Sequence, residues 1–400
     1  MVGTIFANVQ GTVKASAKAN DYPIVLVHGL TGWGSDEMLG VFRYWGGLGD
    51  IQKHLNNQGF TTYEGVVGPF SSNHDRAVEL YYYIKGGTVD YGEVHSRKHG
   101  HKRFGKTYPG VYPEWDGTSK IHLVGHSMGG LTSRELANLI AEGCEEERAY
   151  YEQYPEVGIS PLLAGQANEG IHSITTIATP NNGTSFAEDK NLFVPFMKDL
   201  ATYMASASGV VPNRNLYDFK LDHFGLSREK GEFLTPYMHR VFNSSIWNST
   251  DLAHIDLSVK GVTANRKKLK TRSDIYYFSY TGQTTERIPL VNIHRPLLTT
   301  NPLFMPSTAF MIKYTDRHST PVIDSAWAPN DGLVNVVSSP YPFGDKAKPF
   351  DGRPNKGEWS YHPTMQGWDH LDLTGIGTKL PSQVNRLYLD LAKNLQALPQ

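Results

Sequence analysis

The chain has 400 residues, a formal net charge of −1 and 39% hydrophobic residues. This charge excludes the basic excess of a nucleic-acid-binding protein, and 22 tyrosines, 17 phenylalanines and 7 tryptophans exclude a disordered chain. A single cysteine, Cys144, excludes an intramolecular disulfide. Because one core stops growing at roughly 250 to 300 residues, we expect a single α/β domain over residues 1–400 that carries substantial insertions.

Hydropathy and the N-terminal stretch bear on where the protein acts. No segment approaches the roughly 20 apolar residues of a membrane span. Residues 1–20 are mixed and polar, so export would depend on a leader outside this sequence. The scarcity of cysteine suits an exported bacterial protein, although it does not settle the compartment.

The first predicted element is a buried strand over residues 23–27, followed by His28-Gly29-Leu30. Gly29 permits a tight turn that aims backbone N–H groups outward, so the Leu30 N–H is a candidate donor for an oxyanion. By itself, His28-Gly29 is more typical of a simple strand-ending turn. Both interpretations stay open at this point.

Residues 68–110 do not read as part of a regular core. Residues 75–84 predict a short helix, and residues 86–110 form a predicted loop rich in Gly, His, Lys and Tyr that contains His95, His99 and His101. Imidazoles with carboxylates suit Zn²⁺. His95 and His99 would share a helix face, whereas His95 and His101 need an irregular backbone to converge. Spacing alone favours a solvated basic loop over a metal site.

Residues 125–129, Gly-His-Ser-Met-Gly, directly follow the buried-strand pattern of residues 121–124 and precede a helical pattern. This context predicts a nucleophile elbow, a sharp strand-to-helix turn that exposes the Ser127 hydroxyl. The Met128 N–H would then be the second oxyanion donor, beside Leu30. Without that context, the pattern is more often an ordinary Gly/Ser turn.

The segment between Pro180 and Tyr217 is the candidate lid, residues 181–216. Residues 191–208 predict an amphipathic helix whose apolar positions are Leu192, Phe193, Phe196, Met197, Leu200, Tyr203 and Met204. Such a helix is more often buried in a core. Its position after a predicted core strand over residues 174–180 favours a cover for an apolar pocket.

An acid and a base should follow the serine, because enzymes with this elbow run in the order Ser, Asp or Glu, His. Asp331 lies in an Asn-Asp-Gly turn before a β-rich run over residues 333–337, and His370 lies in a loop before a predicted last helix over residues 382–398. Other residues compete for these roles. The rival base is His362, and the rival acids are Asp324, Asp369 and Asp372.

Long stretches of the chain make it similar to a known family. They are residues 23–33, 44–47, 71–110, 122–130, 173–180, 217–226, 256–258, 330–334 and 368–372. The chain resembles the zinc-containing lipases of thermophilic bacilli and staphylococci. The resemblance implies an α/β-hydrolase fold, with a mostly parallel central sheet flanked by helices, a helical lid and a zinc-binding insertion. It places the catalytic triad on Ser127, Asp331 and His370.

The same resemblance implies a zinc site formed by Asp75, His95, His101 and Asp222. Four protein ligands leave no open position, so the zinc would be structural and would join the insertion 68–110 to a second insertion, 210–255. A calcium site that is common in the family is not expected here. Asp372 is kept, but Gly377-Thr378 replaces an Asp-Pro pair, and Phe304 stands where the family has a glycine.

Together these features predict a secreted carboxylic ester hydrolase, a triacylglycerol lipase before other classes, that acts on lipid or polymer esters at an interface. The alternatives are a phospholipase, a short-chain carboxylesterase, a polyester hydrolase, or a lipid-binding homologue without catalysis. We expect no nucleic-acid partner, no transmembrane segment, and a monomer or weak dimer.

Overall fold

The computed structural model describes residues 19–206, 217–291 and 293–400. Three expectations lie partly outside these residues: the absence of a signal peptide in residues 1–20, the end of the lid, and the start of the second insertion. The strands are β1 Ile24–Val27, β2 Thr62–Gly65, β3 Gly87–Asp90, β4 Phe104–Tyr108, β5 Ile121–His126, β6 Ile171–Ile177, β7 Tyr276–Tyr280, β8 Gly282–Gln283, β9 Thr285–Ile288, β10 Ile293–Pro296, β11 Ala347–Pro349, β12 Trp359–Tyr361 and β13 Met365–Gln366.

Helices lie between and around these strands. They are α1 Ile51–Asn57, α2 Asn73–Lys85, α3 Glu93–His99, α4 Met128–Glu142, α5 Glu145–Gln153, α6 Pro161–Ala164, α7 Lys190–Ser206, α8 Leu234–Phe242, α9 Ala253–Asp256, α10 Val259–Ala264, α11 Met305–Lys313 and α12 Pro381–Gln396. Within the described ranges, no helix has the length and apolar content to cross a bilayer.

The centre of the molecule is a sheet of seven strands in the order β11-β12-β7-β6-β5-β1-β2. Every neighbouring pair in it is parallel. Parallel strands need crossover helices, which cover both faces, and so β1, β5, β6 and β7 are buried along their whole length. The expected α/β-hydrolase fold with a mostly parallel sheet is confirmed.

Alternate residues of β1 enter different cores on the two faces of the sheet. Ile24 and Leu26 pack in the core that also contains side chains of α1, α7 and α12. Val25 and Val27 pack in the core that contains side chains of α2 and α4. Because β1, β5 and β6 pair in parallel, their carboxyl ends lie at one edge of the sheet, where their loops meet.

Two sequence-based expectations about local structure are wrong. Residues 86–110 are not a loop: β3 and β4 pair antiparallel, and α3 lies between them. The Gly-, His- and Lys-rich composition of this segment gives no strand pattern, and only the backbone pairing reveals the two strands. Residues 333–337 are not a strand, because the chain bends at Asp331 and enters a short 3₁₀ helix at Val336–Ser338. The predicted helices at 75–84, 191–208 and 382–398 correspond to α2, α7 and α12 within a few residues.

Candidate active site and metal cluster

Ser127 lies at the turn between β5 and α4, in a strained backbone conformation with φ 55° and ψ −128°. Its N–H donates to the Ile177 carbonyl at 2.8 Å, which fixes the turn to the next strand. A side chain at Gly125 would collide with the backbone of Gly129, and one at Gly129 would collide with the Val27 carbonyl. The two glycines therefore allow β1, β5 and α4 to approach closely enough to hold this strained turn.

The loops that follow β7 and β12 bring Asp331 and His370 together. Asp331 Oδ2 is 2.9 Å from His370 Nδ1, and the His370 N–H donates to the Asp331 carbonyl at 2.8 Å. The other carboxylate oxygen accepts the amides of Leu333 and Val334 at 3.0 and 2.8 Å. The acid is thus held by its own turn, and it presents one oxygen to the imidazole.

The rival residues have other environments. The His362 ring stacks on Tyr280 at 4.1 Å, and burial lowers its pKa to about 4. Asp324 is exposed and caps a short 3₁₀ helix through the Ala326 amide. Asp369 and Asp372 accept backbone amides of their own loop. His370 lines the same cavity as Ser127, and Asp331 is the carboxylate bonded to its ring.

The candidate oxyanion donors lie on either side of the serine. The Gly29 and Thr31 amides donate to Tyr44 Oη and to the Pro69 carbonyl, whereas the Leu30 N–H between them has no acceptor among the described residues. Met128 is the first residue of α4, and the first N–H groups of a helix have no intrahelical acceptor. Both amides are thus available to an external oxygen.

A small cavity of about 30 Å³ adjoins Ser127 and His370. Helix α7 covers it and contributes Phe193, Leu200 and Met204 to its wall. The remaining wall is largely apolar and includes Leu30, Trp33, Leu257, Leu333, Val334 and Leu371. This volume holds only one or two water molecules, so an acyl chain does not fit in this conformation.

A second cluster of chemistry-bearing residues lies among α2, α3 and the segment before α9. Asp75, His95, His101 and Asp251 each present one ligand atom, and these atoms lie within 4.8 Å of one another. His95 Nε2 is 3.0 Å from Asp75 Oδ1 and 3.2 Å from Asp251 Oδ2. Buried His101 Nε2 has no hydrogen-bond partner among the described residues and lies 3.3 Å from Asp251 Oδ2. Two imidazoles and two carboxylates suit a tetrahedral Zn²⁺ ion.

The turn after α3 brings His101 back to His95. Gly100 ends the helix with φ 75°, and both the Gly100 and His101 amides donate to the Ser96 carbonyl, at 2.9 and 3.1 Å. This is the irregular backbone that convergence of the two imidazoles requires. Burial alone would lower the pKa of His95, but hydrogen bonds to Asp251 and Asp75 outweigh it and raise this pKa to about 10. Two buried carboxylates therefore favour a cation at this position.

The assignment of Asp222 to this cluster is wrong. Asp222 begins a short 3₁₀ helix, is about one-third exposed, and pairs with Lys106 Nζ at 2.8 Å. Asp251 takes the fourth position, and the neighbouring His223 donates its Nε2–H to Asp75 Oδ2 at 3.0 Å. Residues 249–251 read as an ordinary polar turn, so no local signal marks Asp251. Only the fold places it opposite His95.

The residues around Asp372 do not fit a calcium ion. Asp372 Oδ1 accepts hydrogen bonds from the Thr378 and Lys379 amides, and Oδ2 accepts the Asp369 amide at 3.0 Å. The Lys379 ammonium lies 3.8 Å from Oδ2. Ca²⁺ needs six to eight oxygens, and here N–H donors and an ammonium already surround the carboxylate.

Comparisons with known proteins agree with this architecture. The family model of the lipase-like, C-terminal domain matches residues 20–395. A lipase of Staphylococcus hyicus is 39% identical over 382 residues, which cover 91% of this chain and 56% of the relative. A lipase of Staphylococcus epidermidis is 40% identical over 366 residues, which cover 91% of this chain and 51% of the relative. The chain thus spans about half the length of these curated relatives.

Solved structures are similar over nearly whole chains. EstA from Clostridium botulinum has a TM-score of 0.88 at 40% identity and covers 97% of this chain and 90% of its own. Lipase 1 from Pelosinus fermentans has a TM-score of 0.81 at 45% identity, with 93% and 99% covered. The S. hyicus lipase structure has a TM-score of 0.79 at 37% identity, with 94% and 96% covered. The resemblance to staphylococcal lipases is confirmed, and the chain belongs to the lipase-like, C-terminal domain family.

Proposed function

We propose that this protein is a serine carboxylic ester hydrolase, and a triacylglycerol lipase in particular. The observation that carries the proposal is the convergence of Ser127, in a strained elbow, and the His370–Asp331 pair on one apolar cavity. The relatives that bear the name lipase support this reading.

The geometry supports acyl transfer through a covalent intermediate. His370 donates its Nδ1 proton to Asp331 Oδ2, which leaves Nε2 unprotonated and able to remove the Ser127 hydroxyl proton. Ser127 Oγ attacks the ester carbonyl, and the Leu30 and Met128 amides bind the resulting oxyanion. His370 then protonates the leaving alcohol. Water, activated by the same imidazole, releases the fatty acid and restores the serine.

The cavity wall favours neutral acyl esters. Among its described residues there is no lysine or arginine, and its surface is built mainly from leucine, valine, methionine and aromatic side chains. An apolar wall stabilises an acyl chain by roughly 25 cal/mol per Å² of buried apolar surface but gives a charged headgroup no partner. Triacylglycerol fits this wall better than phospholipid does.

Helix α7 would act as a lid. In the described conformation it closes the cavity with Phe193, Leu200 and Met204, while Leu192 and Tyr203 are about half exposed on its other side. A helix with apolar residues on both sides can exchange its contacts with the protein for contacts with an oil or polymer surface. We propose that this exchange opens the site.

The cluster of Asp75, His95, His101 and Asp251, called the metal cluster below, would hold a structural Zn²⁺ ion. Its four ligands come from the insertion 68–110 and from Asp251 in the second insertion, so a bound ion would tie these segments together. When bound, the ion supplies folding free energy, because a closed four-ligand site leaves no position for substrate or water.

A hydrolysis panel with active-site labelling tests the proposed function. The panel contains emulsified triacylglycerol, a soluble p-nitrophenyl ester, phospholipid vesicles and polyester film, and a serine-reactive phosphonate labels the nucleophile. We expect the emulsion to be hydrolysed fastest and mass spectrometry to locate the phosphonate on Ser127. Labelling elsewhere, or no labelling, would contradict the mechanism and favour a lipid-binding homologue. If the soluble ester or the phospholipid is hydrolysed fastest, the serine mechanism stands and only the proposed substrate, triacylglycerol, is wrong.

We also propose that the protein acts outside the cell, where water-insoluble esters occur, as a monomer or weak dimer. Immunoblots of culture supernatant against cell lysate test the first point. Sedimentation velocity at several concentrations tests the second.

A further inference from the structure

A chain of three buried hydrogen bonds runs from Gly29, which precedes a proposed oxyanion donor, to the backbone of His370. The Gly29 N–H donates to Tyr44 Oη at 2.9 Å. Tyr44 Oη is 2.6 Å from His126 Nδ1, and His126 Nε2 is 2.9 Å from the carbonyl oxygen of His370. Tyr44 and His126 are both at most 4% exposed.

The partners at the two ends fix every proton in this chain. Tyr44 Oη accepts the Gly29 N–H, so its own O–H is free to donate to His126 Nδ1. Nδ1 is then an acceptor without a proton, and His126 Nε2 carries the proton that the His370 carbonyl accepts. Burial, together with the neighbouring His370, holds the pKa of His126 well below its usual range, which agrees with this neutral tautomer.

Each residue at these hydrogen bonds lies next to, or is, a different catalytic group. Gly29 precedes Leu30, whose N–H is a proposed oxyanion donor, and His126 precedes Ser127 in the elbow. The third contact is the backbone of His370 itself, and the His126 and His370 rings are 4.6 Å apart. A shift at any one of these contacts would therefore change the distances among the oxyanion donor, nucleophile and base.

We propose that Tyr44 and His126 are positioning residues that hold the Leu30 amide, Ser127 and His370 in register, an inference that rests on the proposed ester hydrolysis. Both nitrogens of His126 have partners, so it does not compete with His370 as a base. Their effect is on geometry, and errors of about 1 Å in a catalytic arrangement can cost roughly a hundredfold in rate.

The test compares Tyr44→Phe with Tyr277→Phe. Tyr277 is the matched control, because it is fully buried and its Oη also accepts one backbone N–H, from Arg272 at 2.9 Å, but it lies in β7 away from the cavity. On a soluble ester we expect Tyr44→Phe to lower kcat by about tenfold or more with KM within about twofold. Tyr277→Phe should lower the melting temperature similarly and leave kcat within about twofold.

His126→Gln completes a double-mutant cycle. Glutamine keeps an N–H donor near the His370 carbonyl but loses the ring acceptor for Tyr44, so it breaks the same bond as Tyr44→Phe. The double variant should therefore be no slower than the slower single variant. A His126→Leu variant, which removes both bonds, should be slower than His126→Gln.

Additive losses in the cycle, or equal losses of kcat in Tyr44→Phe and Tyr277→Phe, would overturn the proposal. If His126→Gln does not fold, the comparison of the two tyrosine variants still decides. Phosphonate labelling of the wild-type protein distinguishes failure of the proposed ester-hydrolase function from failure of the positioning role. An unlabelled wild type contradicts the ester-hydrolase function, whereas a labelled, active wild type with an unaffected Tyr44→Phe contradicts only the positioning role.

Discussion

Two regions of this chain each place histidine against buried aspartate, and the number of carboxylates separates their chemistry. In the proposed triad one imidazole meets one carboxylate, His370 to Asp331 at 2.9 Å, and His370 lines the cavity. In the metal cluster His95 lies 3.0 and 3.2 Å from two carboxylates, Asp75 and Asp251. One carboxylate orients an imidazole for proton transfer, whereas two carboxylates require a cation.

The largest effect should come from a substitution in the proposed triad, and it should fall on the rate of hydrolysis. Ser127→Ala should lower ester hydrolysis by more than roughly a thousandfold, because triad members act as a unit, while the melting temperature stays near that of the wild type. Ser133→Ala is the control, since Ser133 is buried in the same helix and bonds only the Gly129 carbonyl. A Ser127→Ala variant that keeps a tenth of the wild-type rate would contradict the triad.

A substitution in the metal cluster should lower stability and leave turnover nearly unchanged. Asp251→Asn should reduce bound zinc well below one ion per chain and cost roughly 3 kcal/mol or more of unfolding free energy, as expected for a broken buried charge cluster. Below the new melting temperature, turnover should change little. Metal analysis, thermal melts and initial rates measure these three quantities.

Asp222→Asn is the matched control for that prediction. Asp222 is partly exposed and pairs with Lys106, so its loss should cost about 1 kcal/mol or less and leave the metal content unchanged. Zinc loss in Asp222→Asn with full zinc in Asp251→Asn would reverse the ligand assignment.

Helix α7, the proposed lid, adds contact with an oil surface to the comparison. Leu200→Ser with Met204→Ser removes apolar contacts worth roughly 1.5 to 3 kcal/mol per buried side chain. Hydrolysis of emulsified substrate should fall several-fold, while cleavage of a soluble short-chain ester stays near wild type or rises. The exposed Asp199→Ser serves as control and should leave both rates unchanged. Equal falls on both substrates would instead indicate a core helix.

The smallest effect should come from removing calcium, which should hardly change the melting temperature. Asp372 is also a buried carboxylate, and backbone amides and the Lys379 ammonium already satisfy it. Chelation of calcium should therefore shift the melting temperature by less than about 1 °C, whereas Lys379→Met should lower it measurably. A stabilisation by added calcium that chelator reverses would show that the site still binds the ion.

The sequence marks Ser127 and Asp331 of the proposed triad locally, whereas the family resemblance is what favours His370 over His362. The elbow needs glycines at fixed offsets around Ser127, and Asp331 lies in an Asn-Asp-Gly turn that binds its own carboxylate. Asp251 has no such mark: its role depends on the segment before α9 lying against α3, which is a long-range contact. For the same reason β3, α3 and β4 were hidden inside a segment that reads as loop.

The small volume of the covered cavity bears on how the rate should depend on substrate. A space of about 30 Å³ admits no acyl chain, so in the proposed mechanism an ester reaches Ser127 only when α7 is displaced. If contact with a droplet or film is what displaces α7, velocity is limited by how much protein is adsorbed. Finer emulsification at constant mass of oil should then raise the rate in proportion to droplet area per litre, and plots against molar substrate should not superimpose across droplet sizes.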